Sequence, residues 1–389
     1  MLKYIGRRTL QNVLVFVVFL TATFFLLQAQ PGDISQQFLA NPKITPEVRE
    51  QFREQLGLTG SVWTQYVTYM KNFFTGNLGI SFSEYPREVT SIIAERLPRT
   101  LALFLFATVL SFWLGFKSGK FLAWRRGGKG ETVVTTIGVF FQTVFYPWFA
   151  LMMIWAFAFG LGWFPIGKFL TVERWLNAPQ GVEANGVFNR MLVTTLMVGL
   201  VLLAVEIIGR RSHDRKRGKQ ITWAGRILLV GALLIWWTTV WSEQVPFALD
   251  IGWHLLLPTI TLSLIGFGAT MLLTRASMLE TLREDFILTA RAKGVPDKIV
   301  RDKHAARNAL LPVTTSLVLS LAFLIGGGVV TETVFSWPGM GATLLAAAIV
   351  EDIPLTIGAF AFIAVLALIA HLVIDIMYMY LDPRIRVQG

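Results

Sequence analysis

The chain has 389 residues, 54% of them hydrophobic and only 15% charged, with a mean hydropathy of +0.58. A soluble domain carries about 25% charged residues and cannot hide this much apolar surface, which argues against a soluble helical core. The net charge of +11 does not imply a nucleic-acid partner, because the charges sit in short loops between apolar runs, where basic residues fix membrane topology.

Met1-Leu2-Lys3, with Arg7 and Arg8, precedes an uncharged run over 9–29. The run is long enough to cross a bilayer and lacks a small-residue cleavage site, so it reads as a retained first span rather than a signal peptide. Seven further spans are expected at about 99–123, 132–163, 190–209, 224–242, 255–274, 309–330 and 356–381. The run 132–163 would be about 48 Å long if fully helical, so it must tilt strongly or break near Pro147. Segment 31–97, between the first two spans, is the one sizeable polar piece. Thr45-Pro46 followed by "EVREQFREQL" and Gly57 has an N-cap, a proline at the first helical position and a C-terminal glycine. Ser61 to Phe74, stopped by Gly76, reads as a second short helix. Its aromatic residues (Trp63, Tyr66, Tyr69, Phe73, Phe74) predict packing on the membrane-embedded body.

Counting Lys and Arg on alternate sides of the eight spans gives 24 on the side of both termini and 8 on the other. The positive-inside rule therefore puts both termini in the cytoplasm and segment 31–97 outside. The largest cytoplasmic loop, 275–307, combines a mixed-charge helical stretch, a helix stop at Gly294 beside Pro296, and a second charged helix. Such a helix–turn–helix on rigid spans is either a docking element or a solvated basic loop that only enforces topology.

Ionisable residues inside spans are costly, and Glu206, His371 and Asp375 qualify. His371 and Asp375 lie four apart on one helix face and can pair; interhelical hydrogen bonding is favoured over substrate contact. Glu206 is close to Arg210 and reads as an interfacial pair rather than a proton relay. There is no cysteine, the four histidines are far apart without HExxH spacing, and no catalytic dyad or metal-ligand cluster is visible. No GxxxxGK[ST] phosphate loop occurs, so the chain is not expected to be an ATPase or any other enzyme, nor to hold a cofactor.

The stretch "DFILTARAKGVPDKIVRDKHAARNALLP" closely resembles the cytoplasmic loop of permease subunits in binding-protein-dependent ABC importers, in its oligopeptide/dipeptide form. Gly294 matches that loop's glycine, Ala290 its second alanine, and Leu311-Pro312 its terminal pair. Leu288 and Thr289 replace the general pattern's glutamate and first alanine. "YIGRRTLQNVLVFVVFLTATFFLLQAQPGD", "LGLTGSVWTQYVTYMKNFFTGNLGISF", "ERLPRTLAL", "ETVFSWPGMG", "EDIP" and "YLDPRIR" are similar to the rest of the B-type permease. The resemblance implies an all-α integral membrane protein with the type I ABC-importer permease fold. About eight transmembrane helices are expected, six in the core plus an extra hairpin over 187–245 around the basic loop "RRSHDRKRGK", which the family's six-span plan lacks. The organisation expected is an N-terminal span (1–30), an extracytoplasmic helical segment (31–97), a permease core (98–186 and 246–389), the hairpin (187–245) and an ATPase-coupling loop (275–307).

The resemblance further implies a second homologous permease subunit, two ABC ATPase subunits that bind the ATP, and an extracytoplasmic solute-binding protein, in the cytoplasmic (inner) membrane. Asp285, Thr289, Ala290, Arg291, Lys293, Gly294, Val295, Pro296 and Asp297 would form the ATPase-coupling element. The implied cargo is peptide; oligosaccharides, nickel chelates and opines are moved by the same machinery. A proton-driven secondary transporter using His371, Asp375 and Glu206 as a relay is the alternative of a different class, and it leaves loop 275–307 without a role.

Overall fold

The computed structural model describes residues 2–29, 61–125, 127–211, 215–239, 241–323 and 328–381. The expected helix at Thr45–Gly57 and the "YLDPRIR" end from residue 382 onward lie outside the described residues. Among the described residues the secondary structure is helical apart from one isolated bridge between Ile80 and Glu88.

The helices are α1 (Leu2–Gln28), α2 (Val62–Phe74), α3 (Val89–Trp124), α4 (Lys129–Thr143), α5 (Tyr146–Met153), α6 (Ala184–Arg211), α7 (Arg215–Thr239), α8 (Val245–Thr281), α9 (Asp285–Ala292), α10 (Ala306–Phe323), α11 (Gly328–Val334), α12 (Met340–Ile349) and α13 (Ile353–Leu381). Five stretches are long and apolar enough to cross a membrane: 6–26, 89–124, 184–209, 220–239 and 242–281. A sixth arises if the bent pair 129–143 and 146–160 is one span. That pair turns through 110° at residues 144–145, just ahead of Pro147, which occupies the first turn of α5 where its missing N–H costs nothing. The chain then runs on as a π-helical stretch, Ile154–Gly160.

The chain divides into two compact units, 1–153 with 258–389, and 154–257. In the first unit, α3 begins at Val89 and runs for 36 residues through Pro98. Residues 89–97, read from the sequence as part of the polar outer segment, are therefore the first turns of a long helix. The proline does not end it, because Val89, Ile92 and Ile93 ahead of it are buried against Met340, Leu344, Leu355 and Ala359. Further along α3, Gly115 and Gly119 form a small-xxx-small face on α8. A Cβ at Gly119 would lie 2.5 Å from the Met271 carbonyl oxygen and 2.6 Å from Thr274 Cβ, so the two backbones are in near contact.

The short helix α2 has Ser61 as its N-cap, its hydroxyl accepting from Thr64 N at 3.3 Å, and it stops at Thr75 before Gly76. Tyr69, Met70 and Phe73 pack on Phe16 and Leu20 of α1 and Ala361 of α13, and Tyr66 Oη hydrogen-bonds Thr21 Oγ1 at 2.9 Å.

The second unit holds the α6–α7 hairpin and its base. Val187, Phe188, Phe247, Ala248 and Ile251 are buried, with ring contacts Phe169–Phe188 and Trp175–Phe247. Asp250 binds the preceding loop: it accepts from Thr171 N (2.9 Å), Thr171 Oγ1 (2.6 Å) and Trp175 Nε1 (2.9 Å). The hairpin's two ends meet where Arg190 Nη1 donates to Gln244 Oε1 at 2.7 Å and its guanidinium lies over Trp241. Beyond that base, α6 and α7 touch each other at Gly225 and Val205, and no residue of their membrane-length windows is fully buried. Glu206 pairs with Arg226 across the hairpin at 3.0 Å. The sequence pointed to Arg210, four residues along the same helix; its side chain lies outside the described residues, and adjacency of two antiparallel helices was invisible in sequence spacing.

Candidate functional site

Helix α9 is set on the body by two side chains. Ile287 is fully buried and Ala290 nearly so, in a cluster with Ala123, Met278, Val300, Ala305, Ala306 and Ala309. The residues between and beside them face outward: Phe286 is 40% and Leu288 58% exposed, and Asp285, Thr289, Arg291 and Lys293 are exposed too. The result is a short, mixed apolar and charged ridge anchored from below.

The ridge ends in a sharply defined turn. Gly294 N donates to the Arg291 carbonyl (2.9 Å) and Val295 N to the Ala290 carbonyl (3.2 Å), the two bonds of a Schellman cap. Gly294, at φ +68°, occupies the left-handed position that cap requires, with open space around it. Val295 then turns back, half-buried against the cluster, as the cap's hydrophobic partner. Pro296 and Asp297, both exposed, open the next helical turn, which continues as a π-helical segment over Val300–Ala305. All nine loop residues singled out in the sequence thus lie together on one ridge and turn, with Ala290 facing inward and Val295 at the edge.

Lys120 of α3 reaches the π-helical segment, its Nζ 3.0 Å from Asp302 Oδ1. Arg301 grips the same carboxylate through Nε (2.9 Å) and Nη2 (3.0 Å). The Arg301 hydrogen bonds, with Lys120 beside them, hold the Asp302 carboxyl at about 2, below its ordinary 3.8. A depressed carboxyl stabilises above its unfolded value and loses that contribution only as pH falls through about 2, so the contact is insensitive to pH from about 4 upward. Arg291 and Arg301 both lie over the Trp124 ring, at 5.7 and 6.0 Å.

The residues singled out inside the spans behave differently. His371 Nδ1 is 2.8 Å from the carbonyl of Ala367 on its own helix, and the ring is exposed. The Asp375 side chain lies outside the described residues.

The structure also assembles residues that sequence reasoning passed over. Helix α12 begins with N–H groups that have no partner of their own. Thr100 Oγ1 accepts from Met340 N (2.7 Å), and buried Glu332 accepts from Ala342 N (2.9 Å) and from Thr100 Oγ1 (2.6 Å). Trp337 Nε1 donates to the Arg99 carbonyl (3.2 Å), and Tyr146 Oη to Thr331 Oγ1 (2.6 Å). Asp352 caps α13 through Leu355 N (3.2 Å) and with its other oxygen accepts from Ser81 Oγ (2.5 Å), Ser83 N (2.9 Å) and Ser83 Oγ (2.6 Å). The stretches "ERLPRTLAL" and "ETVFSWPGMG" are thus joined in space, and "EDIP" is joined to Ser81 and Ser83. The one sequence signal was scarcity of charge: Glu332, Glu351 and Asp352 are the only acidic residues between Asp302 and Asp375.

Residues 220–387 match the family described as binding-protein-dependent transport system inner membrane component, and residues 1–104 match that family's N-terminal membrane component. The chain is 31% identical to the oligopeptide transport system permease protein AppB of Bacillus subtilis, over 99% of both chains. It is 30% identical to the dipeptide transport system permease protein DppB of Alkalihalophilus pseudofirmus, over 99% of this chain and 100% of that one. It is 29% identical to DppB of Escherichia coli K12, over 99% of both. With these matches spanning its whole length, the chain belongs to the inner membrane components of binding-protein-dependent transport systems and has their all-α, type I importer permease fold.

Proposed function

We propose that the chain is the B-type permease subunit of a peptide importer driven by ATP that partner subunits hydrolyse. The observation that carries this reading is the α9 ridge, anchored by Ile287 and Ala290 and presenting Phe286, Leu288 and four polar side chains to a partner. An isolated topology loop has no need of two exposed large apolar side chains beside a rigid cap. Two ATPase subunits grip the ridge, and their closure rotates the attached helices, giving alternating access by rigid-body motion. A second permease and a soluble binding protein complete the assembly; the chain itself binds no nucleotide and needs no cofactor. Peptide as cargo is supported by the relatives, which are named for oligopeptide and dipeptide transport.

The test is to purify the tagged chain from its membrane and identify what accompanies it. ATPase subunits, a second permease and a binding protein loaded with peptide are expected. A chain that supports uptake alone, driven by a proton gradient, would overturn the reading, and a sugar or metal chelate in the binding protein would change the cargo.

Both termini face the cytoplasm in this reading, and α2 lies outside. The cysteine-free chain makes this directly measurable. Ser61 caps α2 and is best left intact, so the probe belongs at the neighbouring exposed Val62. Val62→Cys is expected to react with an impermeant thiol reagent in spheroplasts. Labelling only after lysis would invert the topology.

In this reading the α6–α7 hairpin takes no part in carrying cargo. No residue of its membrane windows is fully buried, and they carry few polar groups apart from the Glu206–Arg226 pair. The base must be kept, since Val187 and Phe188 are buried and Arg190 bonds Gln244. Deleting residues 193–240 and joining the adjacent ends with a short Gly-Ser linker is expected to leave ATP-dependent uptake measurable. A deletion variant that assembles fully yet moves no cargo would make the hairpin part of the mechanism.

A further inference from the structure

Helix α3 is held at both ends by different parts of the first unit. Near its Trp124 end, Phe116, Lys120, Ala123 and Trp124, spaced at four, three and one residues, lie on the face that meets segment 278–309. Near its Val89 end, Val89, Ile92 and Ile93 are buried against α12 and α13, and Arg99 and Thr100 hold Trp337 and Met340. Thirty-six helical residues are about 54 Å long, more than the hydrocarbon thickness of a bilayer. A displacement of the α9 ridge reaches α3 by way of α8 and α10, which pack on it, and directly through the contacts between segment 278–309 and α3.

The direct contacts with segment 278–309 are of two kinds. Apolar contacts through Ala123, Phe116 and Trp124 resist compression but let the surfaces slide, because such contacts are non-directional. The Lys120–Asp302 pair is directional, and Asp302 is fixed in turn by the bidentate Arg301 fork, which also lies over Trp124. Both partners are about a quarter to a third exposed, so the pair's contribution to stability is small, whereas its position is specific.

We infer that the Lys120–Asp302 ion pair, locked by Arg301, is the joint that transmits movement of the α9 ridge to helix α3, and that Lys120, Asp302 and Arg301 are positioning residues for energy coupling. This rests on the reading of α9 as the ATPase contact. The joint lies outside the nine-residue ridge and turn, on the side facing α3, so its loss should leave docking intact and spoil only the conversion of ATP turnover into transport.

The test uses the complete transporter in proteoliposomes, with the peptide eluted from its own co-purified binding protein as cargo. Lys120→Met and Asp302→Asn are expected to retain the ATPase subunits and to hydrolyse ATP, while cargo moved per ATP falls about two- to fivefold. The double variant should be no worse than either single one, because both remove the same contact. Lys120→Arg and Asp302→Glu should restore the ratio. Since the chain has no cysteine, Lys120→Cys with Asp302→Cys provides an independent check: coupling should be poor before, and recovered after, bridging with a short bifunctional thiol reagent. Wild-type stoichiometry in both single variants, a multiplicative loss in the double one, or failure of the bridge to restore coupling would overturn the joint. Loss of bound ATPases from Lys120→Met would overturn it too, by making the pair a docking contact. Wild-type chain that retains no ATPases would instead remove the docking reading on which the joint depends.

Discussion

Replacing Gly339 by alanine is expected to leave little folded protein. Gly339 has extended backbone geometry (φ −103°, ψ −171°) that any residue adopts, so the loss comes from collision alone. A Cβ there would sit 2.5 Å from Thr100 Oγ1 and closer still to the Glu332 carboxylate. Neither neighbour can give way: Thr100 holds Met340 N and Glu332, and Glu332 holds Ala342 N, all within a buried site. Overpacking of this kind costs about 3 kcal/mol at its upper range, and losing the caps of α12 adds about 1 kcal/mol. The measurement is the melting temperature of purified protein in detergent, followed by tryptophan fluorescence, together with yield. Gly231→Ala is the control, since its Cβ would meet nothing within 4 Å. Equal melting temperatures for the two variants would show that the Glu332–Thr100 cluster is not rigid.

Gly294→Val is expected to abolish productive uptake while the protein still inserts. The physics is the reverse of the Gly339 case, because nothing lies within 4 Å of Gly294 and the penalty is conformational. A non-glycine residue in the left-handed region costs roughly 1–2 kcal/mol, more for a β-branched one. The cheaper outcome is for the chain to leave that region, which breaks the Gly294–Arg291 and Val295–Ala290 bonds and redirects Pro296 and Asp297. Uptake should fall at least about tenfold with ATP hydrolysis persisting, whereas Gly294→Asn should retain much of the activity, since asparagine tolerates this geometry. Normal uptake by the valine variant would remove the turn from the coupling mechanism.

The two positions also mark what was legible beforehand. Local signals were enough for Gly294: a charged helical stretch, a glycine, then a proline two residues on. They were enough for α2, with serine at its start and glycine past its end, and for the break ahead of Pro147. Helix α3 starts ten residues ahead of the span expected at 99, because Pro98 does not break a helix whose residues on both sides are buried. The capping of α12 and α13 was illegible for a deeper reason. Thr100 and Glu332 are 232 positions apart and Ser81 and Asp352 are 271 apart, so no periodicity or window connects them. The same holds for Lys120 and Asp302. Glu206 also meets Arg226 across the hairpin, a neighbour the sequence could not show, since antiparallel helices meet at spacings set by the turn, not by the helical repeat.

Asp352 gives its two oxygens to separate tasks, one ending a helix and the other gathering Ser81 and Ser83. Substitutions at these positions will therefore not behave as independent parts. Once the carboxylate is gone, changing Ser83 has little left to remove, whereas Ser81 still accepts from Glu84 N at 3.1 Å. With both serines changed first, the acid is left buried with fewer donors than it was built to receive. The order of change therefore matters: with the acid altered first, Ser83 is released, whereas altering the serines first strands a buried carboxylate.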